Sequence, residues 1–416
     1  MPGDAAQEAR RIPAPESPLM PLQIPWVIEQ AARIRAHPTA WEGYQRAGII
    51  EPDQVQRLRA AERSHDSVAA EAGQYAELYT KLLGKISRID TQQVVLVLFT
   101  DLVQVAGRTV LDGAIAPLRK LLTADDLFVQ VTAAQLIVIS VSSVPESNEN
   151  KEAVNDTIPV LTGLSGKRGG DAALLILAEL LRAGWVRSFV WETDVESQRV
   201  VPALLSVLRK QDKEVSPADR IQLQYLALLV LWILTFHKDA ARGLDVHFGA
   251  ASVLVAAARG VLKEKILRMV IAIFVNMLHQ SDENAKRLLG AGALPLCETL
   301  NERRYADPDV EQGLQFVLRT LYERLKLMSS YDQYVAELES GHLSFESPTH
   351  TLEDFWRENA ERLTQNQGRD LAKLVRLLGP STPDDPTTYA VACSDVSFFL
   401  RFFEVGRQCV FANQPP

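Results

Sequence analysis

The string with the most chemical promise is Gly163–Asp171, GLSGKRGGD. Its glycines could bring backbone amides close to an anion, and Lys167 could meet a phosphate's charge. A phosphate loop, however, needs the spacing GxxxxGK[ST] after a strand, with a hydroxyl to hold magnesium. Here Arg168 stands in the hydroxyl position and no strand precedes, so the string reads as a loop between helices. Gly290 and Gly292 give only GxG, with Pro295 following, and no dinucleotide fingerprint. There is no GxSxG nucleophile elbow and no HExxH zinc helix.

The seven histidines, His37, His65, His237, His247, His279, His342 and His350, are dispersed without metal-ligand spacing. They read as solvated or capping residues. Glu51, Asp53, Asp125 and Asp126 look like loop or cap carboxylates. Cys297, Cys393 and Cys409 form no CxxC, and an odd number of scattered thiols gives no disulfide framework. The expectation is a chain with no catalytic, cofactor-binding or metal-binding residues, which acts by binding.

The elements that would carry such binding are helical. Over the 416 residues the apolar share is 47% while aromatic residues make up only 7%, and the net charge is −8. Nucleic-acid binders usually carry excess base, so that class is set aside. Gln222–Phe236, QLQYLALLVLWILTF, is apolar around its whole circumference and too short to span a bilayer. A helix of this kind has to be buried on all sides. Residues 1–22 carry five prolines and no signal-peptide core, so a disordered tail is expected, and the chain reads as soluble and cytosolic.

Short helices are expected at Ile24–His37 and Trp41–Arg63, and two more between Gly73 and Gly107, broken near Asp90. A pattern then repeats: IAPLRKLL from Ile115, TIPVLTGL from Thr157, VVPALLSVL from Val200 and ALPLCETL from Ala293. Its prolines, Pro117, Pro159, Pro202 and Pro295, lie 42, 43 and 93 residues apart, with ASVLVAAARGVL (Ala251–Leu262) filling the wide interval as a degenerate copy. Proline suits a helix's first turn, where its missing N–H would be orphaned anyway. Gly113, Gly290 and Gly292 suit the sharp turn before it. A longer apolar helix follows three of the copies, at Val129–Ser142, Gln222–Phe236 and Glu311–Leu327. A period in the forties marks armadillo or HEAT repeats, whose stacking builds one continuous core. The fold class is therefore all-α: a helical-repeat superhelix with a smaller C-terminal helical lobe.

The expected organisation is a tail over 1–22, a repeat lobe over 23–328, a Ser-rich linker over 329–350 with at most a short helix at Tyr331–Leu338, and a helical lobe over 351–416. That lobe would open with a capping box at Thr351–Asp354 and run through FWRENAERL (Phe355–Leu363), LAKLVRLL (Leu371–Leu378), the loop GPSTPDDP (Gly379–Pro386) and YAVACSDVSFFLRFF (Tyr389–Phe403). Phe398, Phe399, Phe402 and Phe403 are expected to be partly exposed.

Several of these strings resemble the family of the H subunit of the V-type proton ATPase. QLQYLALLVLWILTF is similar to its QLQYQ…CIWLLSF segment, and Phe355–Ala360 to its FWRENA segment. Tyr331–Asn359 resembles the family's linker in order and spacing, Ala390–Phe403 its AVACHDIGEYVRHYP helix, and Trp41–Ile50 its entry segment. The resemblance is collinear from about Trp41 to Gly406. It implies a cytosolic regulatory component, peripheral on the cytoplasmic face of vacuolar and other endomembranes, without an active site or cofactor. Its partners would be the peripheral stalk, the ATP-hydrolysing sector and the cytosolic part of the membrane sector. It further implies a large lobe that docks on the stalk and a small lobe that bridges the sectors and restrains hydrolysis when they separate. The sequence departs from the family at Ser394, where histidine is usual, and at Ser397–Phe399. The family also continues with further repeats past Phe403–Arg407, so the small lobe reads as incomplete.

The alternative is a generic armadillo adaptor for protein cargo. An importin-like receptor would repeat a Trp–Asn pair on successive third helices, and only Trp232 and Asn276 are present, on different repeats.

Overall fold

The computed structural model describes residues 22–63, 66–167, 169–209, 216–259, 261, 263–345, 347–379, 386–403 and 406. The expected tail apart from Leu22, together with His65, Arg168, Cys409 and most of the loop over Gly379–Pro386, lies outside them. The described residues are helical, without strands, and divide into two compact units, 1–318 and 319–416.

The first unit begins with α1 (Pro25–Arg35), α2 (Trp41–Arg46), α3 (Pro52–Arg63), α4 (Ala72–Lys85) and α5 (Ile89–Ala106). The single helix expected over Trp41–Arg63 is two, because Gly48 turns the chain at φ 68° between them. From α5 onward the chain settles into repeats of a first helix, a second helix and an apolar third helix, with the first and second fused in one repeat. The first triplet is a 3-10 turn at Arg108–Leu111, then α6 (Ile115–Leu121) and α7 (Leu127–Ser142). Next come α8 (Asn148–Leu164) and α9 (Gly170–Leu180), then α10 (Gly184–Ser197), α11 (Val200–Arg209) and α12 (Pro217–Leu234). The last two are α13 (Lys238–Phe248), α14 (Ala250–Ala258) and α15 (Glu264–Gln280), followed by α16 (Asp282–Gly290), α17 (Ala293–Asn301) and α18 (Pro308–Ser340).

Third helices pack on third helices. α5 meets α7, α7 meets α9, α9 meets α12, and α12 meets α15, forming one apolar seam. In α7 every residue from Phe128 to Val141 is buried except Gln130. The all-round apolar helix α12 sits mid-seam, with Trp232 5% exposed. Its start is earlier than the hydrophobic run implies, because Ser216 caps it by accepting from the Asp219 amide at 3.2 Å. At the far end α15 and α18 approach so closely that a Cβ on Gly313 would lie 2.7 Å from Ile271 Cγ2. α5 is long and apolar enough to cross a membrane by composition, but it is a core helix, packed against α1, α4 and α7.

Pro117, Pro202 and Pro295 each fall in the first turn of their helices, as the pattern requires. Pro159 does not. It lies inside α8, eleven residues after Asn148, because in this triplet the first and second helices are fused into one. Proline deep in a helix removes one i to i−4 hydrogen bond.

In two repeats an acidic side chain shapes the turn into the second helix. In α10 the Asp194 carboxylate accepts from the amides of Arg199, Val200 and Val201 at 2.7, 2.6 and 2.8 Å. Gln198 between them adopts φ 54°. One repeat later Asp245 accepts from Ala251 at 2.8 Å across Gly249 at φ 61°. An acidic side chain thus turns back over a left-handed residue to cap the next helix, where the dipole favours negative charge. Gly292 serves the same turn at φ 80°, whereas Gly290 is still helical.

The second unit takes the rest of α18, then a 3-10 turn at Pro348–His350, α19 (Glu353–Asn359), a 3-10 turn at Ala360–Thr364, α20 (Gln365–Arg376) and α21 (Pro386–Phe402). The segment expected as a linker over 329–350 is helical to Ser340, and Tyr331, Tyr334, Leu338 and Leu343 are buried in the unit's core. Its aromatic and leucine positions recur at i, i+3 and i+7 on one helix face, which outweighs the serine-rich composition. Leu352, not Thr351, precedes the first helical residue of α19, and no side chain caps it. Phe398, Phe402 and Phe403 are partly buried, but Phe399 is fully buried, on the face of α21 turned toward the core.

Candidate functional site

The glycine-rich string proves to be a turn. Gly163 lies in the last turn of α8, Lys167 is exposed, and Gly169, at φ 84°, starts α9. A Cβ on Gly170 would sit 2.7 Å from the Ser165 carbonyl oxygen, so close chain reversal accounts for this glycine. Asp126 caps α7 by accepting from Val129 at 2.9 Å, while Glu51, Asp53 and Asp125 are exposed. His37 is exposed with Nδ1 3.0 Å from the Arg33 carbonyl, His279 stacks on Phe316, and His247 meets Trp191 edge-on. Among the described residues no three His, Cys, Asp or Glu side chains are placed to hold a metal. Burial raises the Cys297 thiol to about 12, which keeps it protonated and unreactive.

Trp232 and Asn276 make no peptide-binding pair. Trp232 is buried against Phe236, and Asn276 is buried and donates to Thr235 Oγ1 at 2.9 Å, tying α15 to α12. Both belong to the seam.

One set of chemical groups does converge, in the second unit. Tyr334 and Glu337 lie one turn apart on α18, His350 ends the 3-10 turn, and Asp395 comes from the middle of α21. His350 and Asp395 are fully buried. The imidazole bridges two carboxylates, with Nδ1 2.8 Å from Asp395 Oδ2 and Nε2 2.8 Å from Glu337 Oε2. The Tyr334 hydroxyl donates to the same Asp395 oxygen at 3.2 Å. Burial opposes charge on His350, but the hydrogen bonds and charges of Asp395 and Glu337 overcome it and hold the group above its ordinary value. Burial raises Asp395, and His350 only partly offsets this. Burial, with Asp395 beside it, pushes the Tyr334 phenol well above its ordinary value.

Histidine between carboxylates resembles part of a hydrolytic triad, but this geometry cannot run one. Both ring nitrogens are engaged by carboxylates, so neither is left to deprotonate a nucleophile or bind a metal. The remaining neighbour is a phenol that stays protonated. Around the cluster, Tyr334 packs within 5.4 Å, centroid to centroid, of Phe355 and Trp356. Trp356 in turn stacks on Phe398. By its sequence neighbours alone His350 reads as solvated or capping. Its true partners lie 13 and 45 residues away, a separation no local motif exposes.

The second unit's core is thus built on the FWREN helix α19 and on α21, and the first on an all-apolar third helix, the segments that carry the family resemblance. Two adjoining sequence profiles, both describing the H subunit of the V-ATPase, match residues 25–321 and 327–414 in order. The chain belongs to the V-ATPase H-subunit family. The junction between the two H-subunit profiles falls inside α18. The V-type proton ATPase H subunit of Drosophila melanogaster is 26% identical over 402 residues, covering 91% of this chain and 82% of that protein. A probable V-type proton ATPase H subunit from Oryza sativa subsp. japonica is 27% identical over 407 residues, covering 88% and 86% respectively. Among solved structures, a designed armadillo repeat protein is similar with a TM-score of 0.45 and 18% identity, over 60% of this chain and 99% of that one.

Proposed function

We propose that the chain is a non-catalytic regulatory component of the V-type proton ATPase, acting through contact with other pump subunits. The observation that carries this reading is the pair of H-subunit profiles, in order and covering both units. An absent active site accords with the turn geometry at Gly163–Asp171 and with a histidine cluster whose nitrogens are both engaged.

A division of labour follows. The repeat unit docks on the peripheral stalk, through a surface whose rigidity comes from the third-helix seam. The smaller unit acts on the ATP-hydrolysing sector and the cytosolic part of the membrane sector, coupling or restraining hydrolysis. The chain is then peripheral, on the cytoplasmic face of the vacuolar or endomembrane system. The test is reconstitution: the purified chain is added to a pump lacking its own H subunit, and ATP hydrolysis and proton transport are followed together. The expected result is a change in the ratio of transport to hydrolysis, with no ATP turnover by the chain alone. Turnover by the purified chain, or an unchanged pump with no co-sedimentation, refutes the proposal.

A further inference from the structure

We propose that Glu337, His350 and Asp395 form a buried proton-binding site that couples the packing of the second unit to pH. The inference rests on the geometry of that unit and not on the pump assignment.

Each ring nitrogen of His350 lies 2.8 Å from a carboxylate oxygen. A contact that short needs a proton between the two atoms. With both carboxylates ionised, only the imidazolium supplies both protons, since a neutral imidazole carries one N–H. If the ring is neutral, a carboxyl group holds the second proton, since otherwise two lone pairs would face each other at 2.8 Å. Wherever the proton resides, the intact cluster holds one more than two free carboxylates and a neutral imidazole would. The environment rewards keeping it. Asp395 Oδ1 is buried with no hydrogen-bond partner, so a positive neighbour is this carboxylate's main compensation.

The groups facing the ring come from each element packed on it. α18 supplies Glu337, 22% exposed, and Tyr334; α21 supplies Asp395; and α20 brings Asp370 toward the Tyr331–Tyr334 side, where it accepts from the Tyr331 hydroxyl at 3.1 Å. The cluster therefore staples three segments of one core. The neighbouring Leu343 amide, which donates to Thr388 Oγ1 at 3.1 Å, fastens the same chain to α21 without titrating.

The sign follows from linkage. His350 is held above its ordinary value, so its stabilisation is complete below about 6.5 and is lost as pH rises through the raised value. Burial raises Asp395 as well, so the pair keeps the same single proton whichever of the two groups carries it. The second unit is tightest in mildly acidic solution and loosens as the pH climbs.

The experiment is native-state amide hydrogen exchange on the full chain from about pH 6 to 9, read by mass spectrometry and corrected for the intrinsic rate. Peptides from 331–345 and α21 report the site, and α12 serves as internal reference. Release of one proton on opening makes the opening constant rise by up to about tenfold per pH unit. Glu337→Gln retains an acceptor for Nε2–H and removes one charge, so it flattens that slope. Carbon-13 histidine spectra of the unaltered chain give a second reading that needs no variant, with one buried histidine titrating above the ordinary range. Exchange in the second unit that tracks α12 at every pH, an unchanged slope in Glu337→Gln, or seven histidines titrating normally each overturn the proposal.

Discussion

Replacing Asp194 with alanine tests the acidic turn that sets the second helix in two of the repeats. The carboxylate serves three backbone amides at 2.6 to 2.8 Å, and it is 1% exposed. Losing one ordinary N-cap bond costs about 0.5–2 kcal/mol. Here Val200 and Val201 are themselves buried, so two donors are left without water or partner, at about 1–3 kcal/mol each. Some water will enter the vacated space, which sets the expected cost at about 3–5 kcal/mol. That is roughly a hundredfold or more in local opening, since about 1.4 kcal/mol is a factor of ten. Asp245→Ala is the internal control. It removes one amide bond, to Ala251, and a 3.5 Å pairing with Arg287 at a side chain already 13% exposed, for about 1–2 kcal/mol. Residue-resolved exchange at Arg199–Val201 in one variant and Ala251 in the other gives both numbers. Equal losses, or undiminished protection of Val200 in Asp194→Ala, would refute the claim that the carboxylate and not the left-handed turn holds α11 in place.

Two further outcomes are expected. Gln198→Gly should stabilise the first unit by about 0.5–1 kcal/mol, because φ 54° is strained for a residue with a Cβ; a destabilised variant in chemical denaturation would show that the Gln198 contact to the Val195 carbonyl outweighs the strain. Trp232→Ala should cost about 3–5 kcal/mol as a large-to-small change in the seam, and an unchanged melting temperature with lost partner binding would instead place Trp232 in an interface.

How far the sequence reaches depends on the range of the physics involved. The seam is legible at α5, α7 and α12, though not at α9 or α15, which are not among the expected helices. The legible helices are apolar over several turns, a signal contained within one segment. Pro117, Pro202 and Pro295 mark the phase correctly for the same reason, since helix capping is local. Pro159 misleads because the first and second helices of its repeat are fused into α8, which packs on α7 and α9. The segment 329–350 misleads more instructively. Serines and Gly341 suggest a linker, while Tyr331, Tyr334 and Leu338 form a core stripe that only its partners on α19 and α21 make meaningful. His350 is unreadable from its neighbours, because a buried imidazole is distinguished from a solvated one by carboxylates 13 and 45 residues distant. The cap at Ser216–Asp219 is local and readable in principle, yet the charged run around it reads first as a loop.

The seam also governs how the first unit fails. Because the third helices join one repeat to the next, each packing on the third helix before and after it, the array behaves as a row of nearest-neighbour couplings. A weak link at its edge, in α5, frays one end and leaves the remainder intact. A weak link at α12 severs α9 from α15, and each remnant then presents a bare apolar third helix to water. Position in the row, more than the size of the local defect, decides whether damage yields a shortened but soluble protein or an aggregate.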